Sequence, residues 1–421
     1  MDDTNNTSAC LQKTRFVFLI TRLLSLPFWV MCYILPFLLC KDLQATPFQV
    51  TCAITLKPLV GLFAPYWSIW IYKRPDRLVR NLVWANVLKY LPFLLFPWMH
   101  NVWFFVFSLG FYMFLIRGTT PTWVEIMKSN IEGSTRENVF QLGSALEYAA
   151  AAVIPFFGLL LDHYDQSWRW VFFGAAIMGM MTTVFFFMIP IKVAANVEQS
   201  LPKFSWQSTD VFRPFKECWK LMREKSDFAC FQVGFMLGGA GLMIMQPVFP
   251  YYFMDVLTLS YTSLLTALAV CKGIGFTLAS PYCVKKFQKT NIFRFCSWVT
   301  CLAAVFPLFL ICAQWNILWI YVAYVVYGMM QAGSELSWHM SGPFFAERED
   351  SSIYTSTSVL TVGIRGCIAP LLGTQLYQAT NSPTVLIAGC CLCLLATERM
   401  RAFSRRYRFA YQQSASMPNE G

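Results

Sequence analysis

Long apolar stretches recur along this chain between short polar gaps, and Lys and Arg crowd into every second gap. A hydrocarbon core about 30 Å thick takes about 20 apolar residues per helix, and on that measure the chain divides into twelve spans. Six lie near 16–40, 48–72, 82–99, 102–127, 139–161 and 168–190. After a polar interruption six more follow, near 229–253, 262–283, 293–313, 316–343, 354–378 and 384–398, the last of them short. The pattern predicts an all-α integral membrane protein of twelve transmembrane helices in two six-helix halves.

The charges orient those spans. The gap after the second reads Lys73-Arg74-Pro75-Asp76-Arg77-Leu78-Val79-Arg80. The gap after the eighth holds Lys285, Lys286, Lys289 and Arg294, and Arg399, Arg401, Arg405, Arg406 and Arg408 follow the twelfth. The alternate gaps carry little beyond Lys41, Asp42, Asp162, Asp165 and Asp255. Basic gaps stay cytoplasmic, so an even number of spans places both termini on that face. The expected organisation is an N-terminal half over 1–190, a cytoplasmic linker over 191–228, a C-terminal half over 229–398 and a basic cytoplasmic tail over 399–421. The linker mixes Lys192, Lys203, Arg213, Lys216, Lys220, Arg223 and Lys225 with acids and is too short for a globular domain. It predicts one or two amphipathic surface helices.

Composition agrees. The 421 residues are 57% hydrophobic and 13% charged, against about 25% charged in soluble proteins. The formal net charge of +11 is then mainly a topology signal, and no nucleic-acid partner is expected. The 15 Cys include Cys32, Cys40, Cys52, Cys271, Cys390, Cys391 and Cys393 inside apolar spans, without zinc-ligand spacing or a disulfide framework. They read as small packing residues, and neither metal nor cofactor is expected. The first apolar run lacks a small-residue cleavage site and is expected to be a retained span, not a signal peptide. Compact loops fit a cell (bacterial inner) membrane best, with an organellar or plasma membrane as the alternatives, and the protein is expected to be a monomer.

The halves are related. A shift of 215 residues pairs Asn101 with Asn316, Tyr112 with Tyr327, Gly118 with Gly333 and Trp123 with Trp338. It also pairs Pro155 with Pro370, Gly158 with Gly373 and Gly174 with Gly389. Duplicated halves in the same orientation are a transporter architecture.

Particular segments carry a family resemblance. Asn130-Ile131-Glu132-Gly133-Ser134-Thr135-Arg136-Glu137-Asn138 is similar to the loop between helices four and five of the major facilitator superfamily. Gly143, the run from Pro155 through Gly158 to Asp162, and Ser167-Trp168-Arg169-Trp170-Val171-Phe172-Phe173 follow, the last resembling the Trp-Arg-x-x-Phe that opens helix six. Pro247-Val248-Phe249-Pro250-Tyr251-Tyr252-Phe253, then Leu257-Thr258-Leu259-Ser260-Tyr261, resembles the end of helix seven. One motif departs from the pattern. After helix two the family carries Gly, three residues, Asp and then basic residues; here Gly61 is followed by Pro65, and the second copy has Gly275 followed by Ala279. The resemblance implies a secondary transporter, not an enzyme, whose halves rock about a site near the midplane.

Ionisable groups inside spans cost about 2.5–3.5 kcal/mol at a helix centre and so mark function. They are Arg22, Lys57, Lys89, Arg117, Glu125, Glu147, Lys272, Glu335, His339 and Arg365, with cations in excess. In the resembling family helices one, four, seven and ten line the cavity, and helix three, which carries Lys89, is more peripheral. Arg22, Lys57, Arg117, Lys272 and Arg365 are candidate substrate-binding cations, because Arg holds a carboxylate or phosphate through two hydrogen bonds. Internal pairing or snorkelling of those cations is the competing account. Glu335 and His339, four apart on one helical face, are candidates for proton coupling, with Glu147 as another; a Glu335–Arg365 ion pair is the structural alternative.

The expected cargo is a small organic anion or phosphorylated metabolite, with proton or counter-substrate coupling. Abundant Phe and Met also fit a multidrug or amphiphile efflux pump. A membrane enzyme on lipid-linked substrates would rest on Asp162, His163 and Asp165, which fall in a short loop.

Overall fold

The computed structural model describes residues 2–63, 78–131, 153–189, 213–346 and 351–416, with 139, 142, 143, 146 and 147 between them. Regular structure among them is helical throughout. The chain forms two compact units, Met1–Ser208 with Ser260–Leu265, and Thr209–Leu259 with Thr266–Gly421.

The first unit holds α1 (Asp2–Leu43), α2 (Pro47–Gly61), α3 (Leu78–Tyr90, tightening into a 3₁₀ turn over Leu91–Trp98), α4 (Val102–Asn130), α5 (Ile154–His163) and α6 (Trp168–Phe186). Each start has a local cause. Thr46 and Gln49 form a reciprocal capping box at α2, with Pro47 at its first turn, and Asn101 Oδ1 accepts from Trp103 N at 2.9 Å to open α4. The Trp-Arg-x-x-Phe segment is a packing device here. Trp168 and Phe172 are buried against Phe96 and Phe105, while the Arg169 guanidinium lies 3.1 Å from His100 Nδ1. Pro65, the Lys73–Arg77 part of the basic gap and residues 132–138 of the loop motif lie outside the described residues.

The second unit begins with α7 (Arg213–Glu224), an amphipathic helix in the expected linker, whose Leu221 packs with Phe228 and Tyr354. There follow α8 (Ser226–Met245), α9 (Tyr261–Lys289, whose first turn belongs to the first unit), α10 (Ile292–Cys312), α11 (Leu318–Ala346), α12 (Ser351–Ala379) and α13 (Ser382–Ser416). The twelfth span is longer than its apolar run, because α13 continues through Arg399, Arg401, Arg405 and Arg406. Among the described residues seven helices are long and apolar enough to cross a membrane. The helices of the described residues are consistent with twelve spans in two six-helix halves.

The units repeat one pairing scheme. Counting spans within each, the first and third pack on the sixth, and the second and third pack on the fourth. The capping chemistry repeats as well, since Asn316 Oδ1 accepts from Leu318 N at 2.9 Å, as Asn101 does for α4. Lipid supplies no hydrophobic push between helices, so close approach and interhelical hydrogen bonds hold each unit. Gly158 gives one such approach, where an added Cβ would lie 2.6 Å from Thr262 Cα; its repeat partner Gly373 lies against the Ile244 carbonyl. Among the bonds, Asn86 Nδ2 donates from α3 to Gly179 O, Thr182 Oγ1 and Thr183 Oγ1 of α6 at 3.2, 3.0 and 2.8 Å. In the second unit Gln232 Nε2 donates to Ser358 Oγ at 2.6 Å, joining α8 to α12.

These contacts separate residues that the repeat pairs. Nothing lies within 4 Å of a Cβ added at Gly174, whereas one at Gly389 would meet Gly241 O at 2.7 Å. Gly174→Ala should therefore be neutral or stabilising by about 0.5–1 kcal/mol through helix propensity, and Gly389→Ala should destabilise by about 1–3 kcal/mol through overpacking. Thermal unfolding in detergent reads both. Asn86→Ala strips the α3–α6 bonds at a buried site and should cost about 1–2 kcal/mol by the same measurement; an unchanged midpoint would mean the bonds do not hold the pair.

Candidate functional site

Within the first unit, α1, α3, α4, α6 and Glu147 of the fifth span line a cavity of 310 Å³. Each helix reaches it along a single stripe. On α1 the lining residues are Phe18, Thr21, Arg22, Ser25, Leu26 and Trp29, the offsets of three and four that one helical face requires. Leu82, Asn86 and Lys89 follow the same rule on α3, as do Ile116, Thr119 and Trp123 on α4, with Tyr112 one turn before them.

Two cations and one carboxylate lie on this wall. Arg22 Nη1 donates to Glu147 Oε2 at 3.2 Å, and the Arg22 guanidinium sits 4.7 Å from the Phe18 ring. Its stem passes Gly143, where an added Cβ would lie 3.3 Å from Arg22 Cδ, so the glycine makes room for the pair. Lys89 has no such partner: among the described residues no carboxylate lies within ion-pair distance of it. It is 7% exposed, and its ammonium faces the rings of Tyr90 and Tyr112 at 4.8 and 5.8 Å. Burying an ion costs several kcal/mol, and a ring contact returns about 0.5–2 kcal/mol. The rings therefore offset only part of the cost.

The other candidates lie elsewhere. Lys57 on α2 donates to Tyr33 Oη at 3.2 Å, with its ammonium 5.4 Å from the ring of Trp29, a cavity residue. Arg117 is exposed on α4 and is not part of the lining. In the second unit Lys272 sits 5.5 Å from the Tyr327 ring. Arg365 reaches from α12 to α8, where Nη1 donates to Phe235 O at 3.0 Å, and the same guanidinium occupies the space a side chain at Gly239 would need. Glu335 accepts from Gln331 Nε2 at 2.9 Å, and both Glu335 and His339 are exposed on α11. Among the described residues no bond joins Glu335 to His339 or to Arg365.

Two sequence expectations change. The resemblance puts Lys89 at the periphery, yet it is buried and lines the cavity. The signal was present, since Asn86 and Lys89 are three apart in an apolar helix and both are polar. Asp162, offered for lipid-linked chemistry, is a helix cap: its carboxylate accepts from Tyr261 N, Thr262 N and Thr262 Oγ1 at 2.7, 2.8 and 2.7 Å. Asp42 accepts from Tyr261 Oη at 2.9 Å beside it. The side chain of Glu125 lies outside the described residues.

Known proteins share this architecture. A POT family transporter solved with a thioalcohol-conjugated peptide superposes with a TM-score of 0.72 over 94% of this chain and 96% of its own, at 12% identity. A POT family transporter in complex with 5-aminolevulinic acid gives 0.71 over 94% and 96%, also at 12%. The nucleoside transporter NupG gives 0.66 over 93% and 98%, at 14%. Such identities speak to the fold. No curated protein matches the chain in sequence. The model of the Major Facilitator Superfamily matches residues 17–370. That is most of the 421 residues, and the chain, a multi-pass membrane protein, belongs to this superfamily.

Proposed function

We propose that this secondary transporter moves a small organic anion by alternating access and couples the movement to protons. It acts as a monomer in a cell membrane with both termini cytoplasmic. The observation that carries the reading is the charge on the first unit's cavity, where Arg22 and Lys89 face a single carboxylate, Glu147. One positive charge is left over among the described lining residues, and an anion would neutralise it in a medium where unpaired charge is costly.

Coupling follows from the ion pair. Protonation of Glu147 removes its hold on Arg22 and frees the guanidinium to join Lys89 in holding the substrate's acidic group. Loss of the proton restores the pair and expels the anion. Lys57, Arg117 and Lys272 add positive charge along other spans, and Arg365, bonded to Phe235 O, serves packing between α8 and α12. Glu335 and His339 form a second proton site in the other half. The fold accommodates a carboxylate-bearing ligand elsewhere, as the POT transporter complex with 5-aminolevulinic acid illustrates.

Uptake of labelled organic acids into proteoliposomes, driven by an inward proton gradient, tests the scheme. Glu147→Gln should lose accumulation against a gradient by at least ten-fold while keeping exchange of internal for external substrate. Arg22→Gln should lose both. Gradient-driven accumulation that survives Glu147→Gln would remove this residue from coupling.

A further inference from the structure

The same cavity restricts which anion it can take, because several of its polar groups already spend their hydrogens within the protein. Thr21 Oγ1 donates to Phe18 O at 3.1 Å, Thr119 Oγ1 to Ile116 O at 2.9 Å and Thr182 Oγ1 to Gly179 O at 2.6 Å. Asn86 has two amide hydrogens and three acceptors on α6 already in range. These side chains present lone pairs to the cavity, not donors. Their hydrogens are committed to backbone carbonyls and neighbouring hydroxyls, as polar groups in an apolar bundle must be.

A phosphate ester near −2 needs two uncompensated cations. The wall has one, Lys89, once Arg22 is paired with Glu147. Apart from Ser25, the rest of the lining is aliphatic or aromatic, with Trp29 and Trp123 on α1 and α4 and Tyr112 facing the ammonium. The volume, about 310 Å³, falls at the small end of ligand pockets, about 300–1,000 Å³.

Resting on the anion reading above, we infer that the first unit's cavity is a site for a monocarboxylate with a flat, aromatic-sized apolar body. Its carboxylate meets the Lys89 ammonium between Tyr90 and Tyr112, and its ring lies along Trp29 and Trp123. A hydrogen-bond donor on the ring would find acceptors in Thr21, Thr119 and the Asn86 carbonyl. With Glu147 ionised, the single uncompensated charge of the wall matches one carboxylate and not the doubly charged phosphorylated metabolites that the cation excess alone allows.

A head-group series on one ring system tests the inference by binding alone, without transport. Indole-3-acetate, indole-3-ethanol and tryptamine share a body and differ in charge; glucose 6-phosphate supplies a polar dianion. Binding to the full-length protein in detergent is measured by calorimetry and thermal shift. Indole-3-acetate should bind at least ten-fold more tightly than the other three. Lys89→Met should erase its advantage over indole-3-ethanol, and Lys89→Arg should keep it. The wild-type ranking decides even where Lys89→Met fails to fold. Tightest binding by glucose 6-phosphate would overturn the monocarboxylate assignment and leave the anion reading standing. Tightest binding by tryptamine would overturn both and favour efflux of amphiphilic cations. Equal binding of acetate and ethanol forms would overturn the role of Lys89.

Discussion

A charge held in hydrocarbon must be answered from within the protein, and the first unit is organised around one that is only half answered. Lys89 is buried between Tyr90 and Tyr112 without a carboxylate among the described residues. Its neighbours along α3 explain how the helix tolerates this. Asn86, one turn earlier, fastens α3 to α6 through Gly179, Thr182 and Thr183. Tyr90, the next residue, donates to Ser25 Oγ at 3.3 Å on α1, and it fills the room left by Gly179. The helix that carries the costly group is thus tied on both sides by polar contacts, each worth about 0.6 kcal/mol in a membrane protein. Three such bonds at once sum to about 2 kcal/mol and offset part of the cost of the charge.

The aromatic residues extend that support toward the other end of the span. Phe28 meets Tyr90 at 4.7 Å and Phe93 at 4.6 Å, and Phe93 stacks on Phe172 at 5.7 Å. Phe96 continues the column to Phe105 at 4.6 Å, and Phe105 to Trp168 at 5.2 Å. Aromatic pairs of this kind add about 0.5–1.5 kcal/mol beyond area. The motif that opens the sixth span is therefore the far end of the same packed column that holds Lys89 in place.

Much of this was legible in the sequence. Spans, their grouping into halves and the family resemblance follow from hydropathy, charge alternation and a few Gly, Pro and Trp positions, because those residues answer to the bilayer and to helix contact. Arg22 and Glu147 were legible as intramembrane charges, but their pairing was not, since it joins residues 125 apart. Lys89 was discounted on its helix number, a property of the family and not of its surroundings. The role of Asp162 was hidden for a related reason. A carboxylate that caps Tyr261 and Thr262 has the same sequence signature as one awaiting a metal or a proton. Only the position of the helix start distinguishes them.

The duplication offers a way to tell scaffold from chemistry that needs no relatives. Positions that both halves keep under the 215-residue shift do the same structural work twice. Asn101 and Asn316 cap the fourth span of each unit, and Gly158 and Gly373 each admit a neighbouring backbone. Trp123 packs on Phe18 at 5.5 Å and Trp338 on Phe235 at 6.1 Å, in both units joining the fourth span to the first. The cavity residues behave differently. On that shift Arg22, Asn86, Lys89 and Glu147 correspond to Leu237, Cys301, Ala304 and Val362. Asn86 fastens α3 to α6 in its own half. The three charges, Arg22, Lys89 and Glu147, are present in one half and meet at its cavity, so the scaffold that both halves share does not account for them. Lys57 and Lys272 fall on the scaffold side of the line, kept in both halves and each seated on aromatic rings. The cavity's charges stand outside the work that the two halves share.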